Sequence, residues 1–159
     1  MRFARNAVAR TPVGLVKAFL DTSVLVATFY ADHEHHQPSI DLFLRFGKHE
    51  ACCGAHSLAE VYATLTGMPA PRRVSGDQAL LFLGSIRDHV TLVALDELEY
   101  VQVAEAAAAA GLAGGAIYDA ILGQCAVKAD AEVIYTWNTH DFLRLARPIS
   151  GRVSTPDSI

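Results

Sequence analysis

The stretch that most constrains the fold is residues 17–27, which read Lys-Ala-Phe-Leu-Asp-Thr-Ser-Val-Leu-Val-Ala. A short apolar run, then a carboxylate, two hydroxyl residues and a second apolar run predict a buried strand, a tight turn and a helix. Asp21 would then lie at the carboxyl end of a strand, which is the edge of an open parallel sheet where ligands bind. A structural role is also open, because Asp21 could cap the helix through the backbone N–H of Ser23 or Val24.

The rest of the chain alternates between strand and helix patterns. This alternation predicts a single α/β domain whose central sheet has four to five strands, is mostly parallel and carries helices on both faces. Further strands are predicted at residues 50–53, 90–95 and 132–136, with a short edge strand around Arg152 and Val153. Helices are predicted at residues 22–30, 38–46, 57–66, 76–88, 98–110 and from 116 onward. In the helix at 76–88, the spacing predicts that Leu80 and Leu83 face inward, with Leu81 and Ile86 as further candidates.

Composition limits the functions that such a domain can have. The chain has 159 residues, 52% of them hydrophobic and 19% charged, which suffices for one core without disulfides or a structural metal. Its formal charge of −4 argues against broad electrostatic capture of nucleic acid, which depends on Lys and Arg displacing counterions from phosphates. Clustered acids that a bound cation neutralises would give the same negative balance. The three cysteines, Cys52, Cys53 and Cys125, form no CxxC pair and are predicted to be buried, reduced thiols.

The sequence carries no recognisable membrane or targeting signal. No apolar run approaches the roughly 20 residues that cross a bilayer, so no membrane partner is predicted and the expected location is cytoplasmic. Residues 1–16 are predicted to be a flexible N-terminal extension, residues 17–153 the folded domain and residues 154–159 a C-terminal tail.

Four acids lie at comparable positions, each at a strand end or in the first turn of a helix: Asp21, Glu60, Asp119 and Asp141. Two of them also have structural explanations. Glu60 completes an S-x-x-E capping box with Ser57, and an acid in the first helical turn, such as Asp119, suits the helix dipole. If right-handed crossovers wind the sheet, however, all four positions share one face.

Four carboxylates brought close repel one another unless a positive charge lies between them. Oxygen ligands without cysteine or paired histidine suit Mg²⁺ or Mn²⁺. Two such ions about 4 Å apart can activate water and stabilise the leaving oxygen in phosphodiester hydrolysis. Nearby hydroxyls and an amide could orient the carboxylates or a metal-bound water, namely those of Thr22, Ser23, Thr136 and Asn138.

Two further polar clusters can be explained without a binding site. His33, His35 and His36 lack the i, i+4 spacing that places two imidazoles on one helical face, so a solvated loop is predicted rather than a metal site. Arg72 and Arg73 lie in a proline-containing loop, where they could contact a phosphate backbone, a partner's acids or only solvent.

The acids lie in four motifs whose order resembles that of a known family. The motifs read Phe-Leu-Asp-Thr-Ser at 19–23, Ser-Leu-Ala-Glu-Val at 57–61, Tyr-Asp-Ala-Ile at 118–121 and Thr-Trp-Asn-Thr-His-Asp-Phe at 136–142. In this order and spacing they resemble PIN domains, specifically the VapC-type toxin ribonucleases of type II toxin–antitoxin systems. The resemblance covers about residues 17–153.

This resemblance implies a PIN-like sandwich that acts as an Mg²⁺- or Mn²⁺-dependent endoribonuclease, a hydrolase of RNA phosphodiester bonds. It further implies a homodimer that is neutralised by a VapB-type antitoxin, which places a basic side chain in the acidic pocket. By position, Asp21, Glu60 and Asp119 would be the core metal ligands. Some members carry Asp where this chain has Asn138, so the fourth acid would be Asp141, with Asn138 at most a weaker or water-mediated contact.

Two other functions fit the same residues. Phosphoryl transfer through an aspartyl intermediate would use Asp21 as nucleophile, although Ser23 occupies the place where that chemistry normally has a second acid. A catalytically inert module could instead use the acidic pocket to hold a basic partner. RNA cleavage that requires a divalent cation would favour the ribonuclease over the inert module.

Overall fold

The computed structural model describes residues 16–159. Apart from Val16, the predicted N-terminal extension therefore lies outside the described residues. The described chain contains one sheet of five strands, in the order β3-β2-β1-β4-β5. The strands are β1 (Ala18–Leu20), β2 (Ala51–Gly54), β3 (Thr91–Val93), β4 (Val133–Tyr135) and β5 (Val153–Ser154). Every pairing is parallel, which confirms the predicted α/β class with a five-stranded sheet.

Helices cover both faces of this sheet, as predicted. They are α1 (Thr22–Phe29), α2 (His36–Arg45), α3 (His56–Gly67), α4 (Gly76–His89), α5 (Glu97–Ala109), α6 (Ala116–Lys128), α7 (Thr139–Leu143) and α8 (Arg147–Ser150), followed by a 3₁₀ turn at Pro156–Ser158. Among these described helices, none has the length and apolar character that a membrane crossing requires. The cytoplasmic location stays a prediction.

Side chains of the central strand divide between two cores because successive residues of a strand point to opposite faces. Ala18 and Leu20 belong to the core under α1–α4, whereas Phe19 belongs to the core under α5–α8. Cys53 and Cys52 divide in the same way on the neighbouring strand β2. Burial on both faces explains why these strands read as continuous apolar runs rather than alternating ones.

The cysteines are free, buried thiols, as the sequence predicts. Burial raises the pKa of Cys52 to about 12 and that of Cys125 to about 11. Since the thiolate is the reactive form, these thiols are unreactive near neutral pH.

The order of the strands places a crevice beside β1. The chain moves outward from β1 to β2 and β3 on one side, and returns to add β4 and β5 on the other. The crevice between β1 and β4, at their carboxyl ends, is therefore a topological switch point, where open α/β sheets bind ligands. Asp21 follows β1 directly, and its backbone N–H donates to the carbonyl of Tyr135, the last residue of β4 (3.0 Å).

The orientation predicted for α4 was right for Leu83 and Ile86 and wrong for Leu80 and Leu81. Leu80 is 60% exposed, and the following Leu81 is 71% exposed. The buried positions are Ala79 and Ile86, with Leu83 partly buried against the core between them. Spacings of four and three residues define one face of a helix, and that face excludes Leu80 and Leu81. The apolar pattern permitted either face, and packing against the first core decided between them.

The last residues of the chain pack against the domain. Strand β5 includes Ser154, and Pro156 is buried. The structure thus continues past residue 153, where the domain was predicted to end. The division of the chain into an extension, a domain and a tail stays a prediction.

Candidate active site

Asp21 lies at the switch point and is held in one orientation. Its side chain is only 1% exposed. Its Oδ2 accepts hydrogen bonds from the Ser23 hydroxyl (2.7 Å), the Thr136 hydroxyl (2.8 Å) and the Ser23 backbone N–H (3.3 Å). Its Oδ1 accepts no hydrogen bond of standard geometry within the described part of the chain. Asp21 therefore caps α1, as one interpretation predicted, but keeps one carboxylate oxygen for a ligand.

The buried position of Asp21 is costly for a charged group. Burial raises the pKa of its carboxyl, and the hydrogen bonds from Ser23 and Thr136 oppose that rise. The same two hydroxyls connect the elements around the site. Ser23 Oγ accepts from the backbone N–H of Trp137 (3.0 Å), and Thr136 Oγ1 accepts from that of Asn138 (2.9 Å). The segment after β4 is thereby tied to the first turn of α1.

Glu60 faces the same cavity from α3. This helix begins at His56 with no side-chain cap, so Ser57 lies inside the helix and the predicted capping box does not form. Instead, the Thr22 hydroxyl lies 3.1 Å from Glu60 Oε1 and 3.0 Å from Ser57 Oγ. Burial raises the pKa of Glu60, and nearby Asp21 raises it further, while the contact with Thr22 lowers it.

Asp119 lies in the first turn of α6, and its pKa is strongly perturbed. Its pKa is raised from 3.8 to about 7, first by burial and then by the negative charges of Asp21, Asp141 and Glu60. Electrostatic coupling of this kind requires the other three acids to lie near Asp119, although all four come from separate segments. Clustered groups with strongly perturbed pKa values mark candidate functional sites.

The four acids line two adjoining cavities rather than one. The larger, of about 480 Å³, is lined by Asp21, Glu60 and Asp119, together with Thr22, Ser23 and Asn138. The smaller, of about 360 Å³, is lined by Asp119 and Asp141. Asp119 therefore borders both cavities, whereas Asp141 is exposed on α7 and lines only the smaller one.

The donor set suits a hard divalent cation, since the ligands available are carboxylate, hydroxyl and amide oxygens. Among residues 16–159, however, no three His, Cys, Asp or Glu side chains lie close enough to hold a metal ion as they stand. The carboxylates would have to converge on binding. A cation between them would favour the charged form of Asp119, which burial and the neighbouring acids disfavour.

Two histidines that were predicted to lie in a solvated loop line the larger cavity. His33 and His35 lie between α1 and α2, and the ring of His35 stacks on that of Trp137 with centroids 3.8 Å apart. The i, i+4 spacing of metal-binding histidines could not identify them, because what they present to the cavity is ring surface rather than a pair of metal ligands. Their one sequence signal was position, since the loop follows the helix that begins at the site.

The arginine pair lies apart from both cavities. Arg72 and Arg73 are exposed in the loop between α3 and α4. The side chain of Arg73 donates to the carbonyl of Met68 (3.0 Å). Contact of these arginines with RNA stays a prediction.

The PIN domain family matches residues 18–148 of this chain. Ribonuclease VapC40 of Mycobacterium tuberculosis, in strains CDC 1551 and H37Rv, is 35% identical to it over 114 residues. The matched residues make up 72% of this chain and 81% of that protein.

Solved structures of three proteins share the fold. Mycobacterium tuberculosis VapC20, a sarcin-ricin loop cleaving toxin, has a TM-score of 0.64 at 18% identity, over 79% of this chain and 92% of that one. PAE2754 from Pyrobaculum aerophilum has a TM-score of 0.62 at 16% identity, over 92% and 93%. VapBC2 from Rickettsia felis, bound to a DNA fragment from its promoter, has a TM-score of 0.58 at 14% identity, over 87% and 98%. At these identities the likeness shows the fold alone.

The family assignment rests on the sequence matches. Both cover most of the described chain, and the family match at 18–148 includes all four motifs, at 19–23, 57–61, 118–121 and 136–142. The predicted resemblance is thereby confirmed: this chain belongs to the PIN domain family and, within it, to the VapC ribonucleases.

Proposed function

We propose that this chain is an endoribonuclease that hydrolyses RNA phosphodiester bonds with Mg²⁺ or Mn²⁺, and that it acts as the toxin of a VapBC-type toxin–antitoxin pair. The observation that carries the proposal is the larger cavity, where Asp21, Glu60 and Asp119 arrive from three different segments at the switch point of the sheet. Family membership supports the reaction class, since the relative VapC40 is a ribonuclease.

Asp21, Glu60 and Asp119 would hold the cation, and Asp141 would contribute from the adjoining cavity. A bound divalent cation supplies positive charge next to the phosphate and lowers the pKa of a water. Ser23 and Thr136 fix the Asp21 carboxylate through Oδ2, which leaves Oδ1 for the cation.

Two other polar side chains have supporting roles in the proposed site. Thr22 contacts Glu60 and restricts the orientation of its carboxylate. Asn138 is exposed and lines the larger cavity, where its amide suits a weaker or water-mediated contact. Unlike the acids, Asn138 adds no negative charge, so its replacement should affect cleavage less than loss of an acid.

Cleavage of RNA is the direct test. Wild-type protein should cleave single-stranded RNA in Mg²⁺ or Mn²⁺, lose activity in EDTA and regain it when the metal is restored. Asp21→Asn and Asp119→Asn should abolish cleavage while the far-UV circular dichroism stays unchanged. Glu105→Gln is the matched control, since Glu105 is an exposed acid on α5 that lines neither cavity. Undiminished cleavage by the Asp21→Asn, Asp119→Asn double variant would overturn the proposal.

The proposed partners are a VapB-type antitoxin and a second copy of this chain. Support comes from the family and from apolar side chains exposed on neighbouring helices, among them Tyr62, Leu80 and Leu81. Soluble proteins rarely leave clustered apolar side chains in water unless a partner covers them. Light scattering after size exclusion should give the mass of a dimer. Leu80→Glu should weaken either the homodimer or the complex with the antitoxin. A monomeric protein would exclude the homodimer.

A further inference from the structure

Three ring side chains in mutual contact line the larger cavity, and we call His33, His35 and Trp137 the aromatic wall. The His35 and Trp137 rings are stacked almost parallel, with centroids 3.8 Å apart and planes inclined by 10°. The His33 ring lies 5.6 Å from that of His35. The acids Asp21, Glu60 and Asp119 line the same cavity, so it combines an acidic region with a flat, aromatic one, and Glu34 lies beside the latter.

The aromatic wall is held rigidly from behind. The Trp137 indole N–H donates to the hydroxyl of buried Ser39 (2.9 Å), and its backbone N–H donates to Ser23 Oγ (3.0 Å). The backbone N–H of His35 donates to His33 Nδ1 (3.0 Å), which fixes the two histidines relative to each other. A platform whose side chains are already ordered loses little conformational entropy when a ligand packs on it.

His35 is not explained by the stability of the helix that it precedes. It is the N-cap residue of α2, a position that favours Ser, Thr, Asp or Asn, and its side chain makes no capping hydrogen bond. Its ring instead packs on that of Trp137, and 37% of the His35 side chain stays exposed. The residue thus provides aromatic surface at a place where helix stability would favour another side chain.

We propose that the nucleobase next to the scissile phosphate stacks on the aromatic wall. The proposal rests on the proposed ribonuclease function and adds to it how the site holds its RNA. A nucleotide has a negatively charged phosphate, which the cation proposed to lie between the acids would hold, and a flat base, which suits the aromatic region of the same cavity. Aromatic side chains bind bases of single-stranded RNA by stacking, and every base offers a face for it.

Fluorescence provides the first test, because Trp137 is the only tryptophan of the chain. Short single-stranded RNA is titrated into the wild-type protein with Ca²⁺ in place of Mg²⁺, and gels confirm that the RNA stays intact. The same backbone with abasic sites throughout is titrated in parallel, and anisotropy of a terminal dye measures binding of both. The base-containing RNA should quench Trp137 and bind roughly tenfold more tightly than the abasic one.

Equal quenching and equal affinity for the two RNAs, or no binding of either, would overturn the proposal. Quenching by acetyl-arginine amide without quenching by RNA would assign the aromatic wall to a basic protein partner and would overturn it as well.

Kinetics on variants provide the second test. His35→Ala should raise KM for RNA roughly tenfold and change kcat little, because stacking binds the substrate without entering the reaction. His35→Phe, which keeps a flat ring, should restore KM. His49→Ala is the matched control, since His49 is exposed and precedes β2, at the amino ends of the strands and away from the site at their carboxyl ends. An unchanged KM in a folded His35→Ala protein would refute stacking without affecting the proposed ribonuclease function. An inactive wild-type protein would refute the proposed function itself.

Discussion

Replacing Asp119 by asparagine should stabilise the metal-free protein even though it abolishes cleavage. Folding raises the pKa of Asp119 from 3.8 to about 7, so the folded state binds this proton more tightly than the unfolded state does. The charged carboxyl therefore destabilises the fold progressively as the pH rises from 3.8, and the cost is complete above pH 7. A neutral asparagine side chain at this position would carry no such cost.

The size of the effect follows from the shift. One pKa unit corresponds to about 1.4 kcal/mol, which sets an upper bound of roughly 4 kcal/mol on the cost of charging Asp119. Because this side chain is only partly buried, solvent screening reduces the expected gain of Asp119→Asn to about 1–2 kcal/mol. In a protein of this size, that corresponds to a rise of roughly 2–8 °C in Tm.

The assay is urea unfolding in EDTA at about pH 8 and about pH 5. At pH 8, Asp119→Asn should show its full gain in the free energy of unfolding. At pH 5 the gain should be less than half as large, because Asp119 of the folded wild-type protein is then mostly protonated and carries little of the cost of charging. Added Mg²⁺ should stabilise wild type and leave Asp119→Asn unchanged, since only wild type retains the ligand. Glu105→Gln should shift the free energy by less than about 0.5 kcal/mol. A variant no more stable than wild type at pH 8 would refute the inference that burial and the neighbouring acids make the charged form of Asp119 unfavourable.

Three further outcomes are expected. Glu60→Gln should lose cleavage with little change in Tm, because Glu60 faces the cavity and caps no helix; a large fall in Tm would contradict this. Thr136→Val should lower the free energy of unfolding by about 1–3 kcal/mol in a urea titration, since buried Asp21 loses a hydrogen bond, and an unchanged value would count against that contact. Gly123→Ala should lower the free energy of unfolding by about 1–3 kcal/mol, because the added methyl would lie 2.8 Å from the buried side chain of Ile149. Gly84→Ala, where the added methyl meets nothing within 4 Å, should instead raise it by about 0.5–1 kcal/mol. Equal effects of the two variants in calorimetry would refute the packing argument.

Much of the fold could be predicted because its signals are local. The run at 17–27 shows a strand, a carboxylate and a helix directly, and β1 and α1 begin where that pattern places them. Alternation of strands and helices then predicts a parallel sheet, since parallel strands need crossover connections. The boundaries were less certain, and β3 is three residues long where a longer apolar run had predicted six.

Parts of the site could not be predicted, because they depend on contacts between distant segments. Ser57 and Glu60 match a capping box locally, but α3 begins one residue earlier and Thr22 contacts both side chains instead. The histidine loop reads as solvated until Trp137, far along the chain, packs on His35.

The sequence by itself determined the fold class, the family and the acids at the ends of strands and helices, since these follow from local periodicity and from short motifs. The tertiary structure decided which side chains share a cavity. It divided the acids between two cavities that meet at Asp119, and it brought the aromatic wall into the same cavity as Asp21, Glu60 and Asp119. The physical reason is that side-chain packing, burial and electrostatic coupling depend on distances in space, which no local pattern specifies.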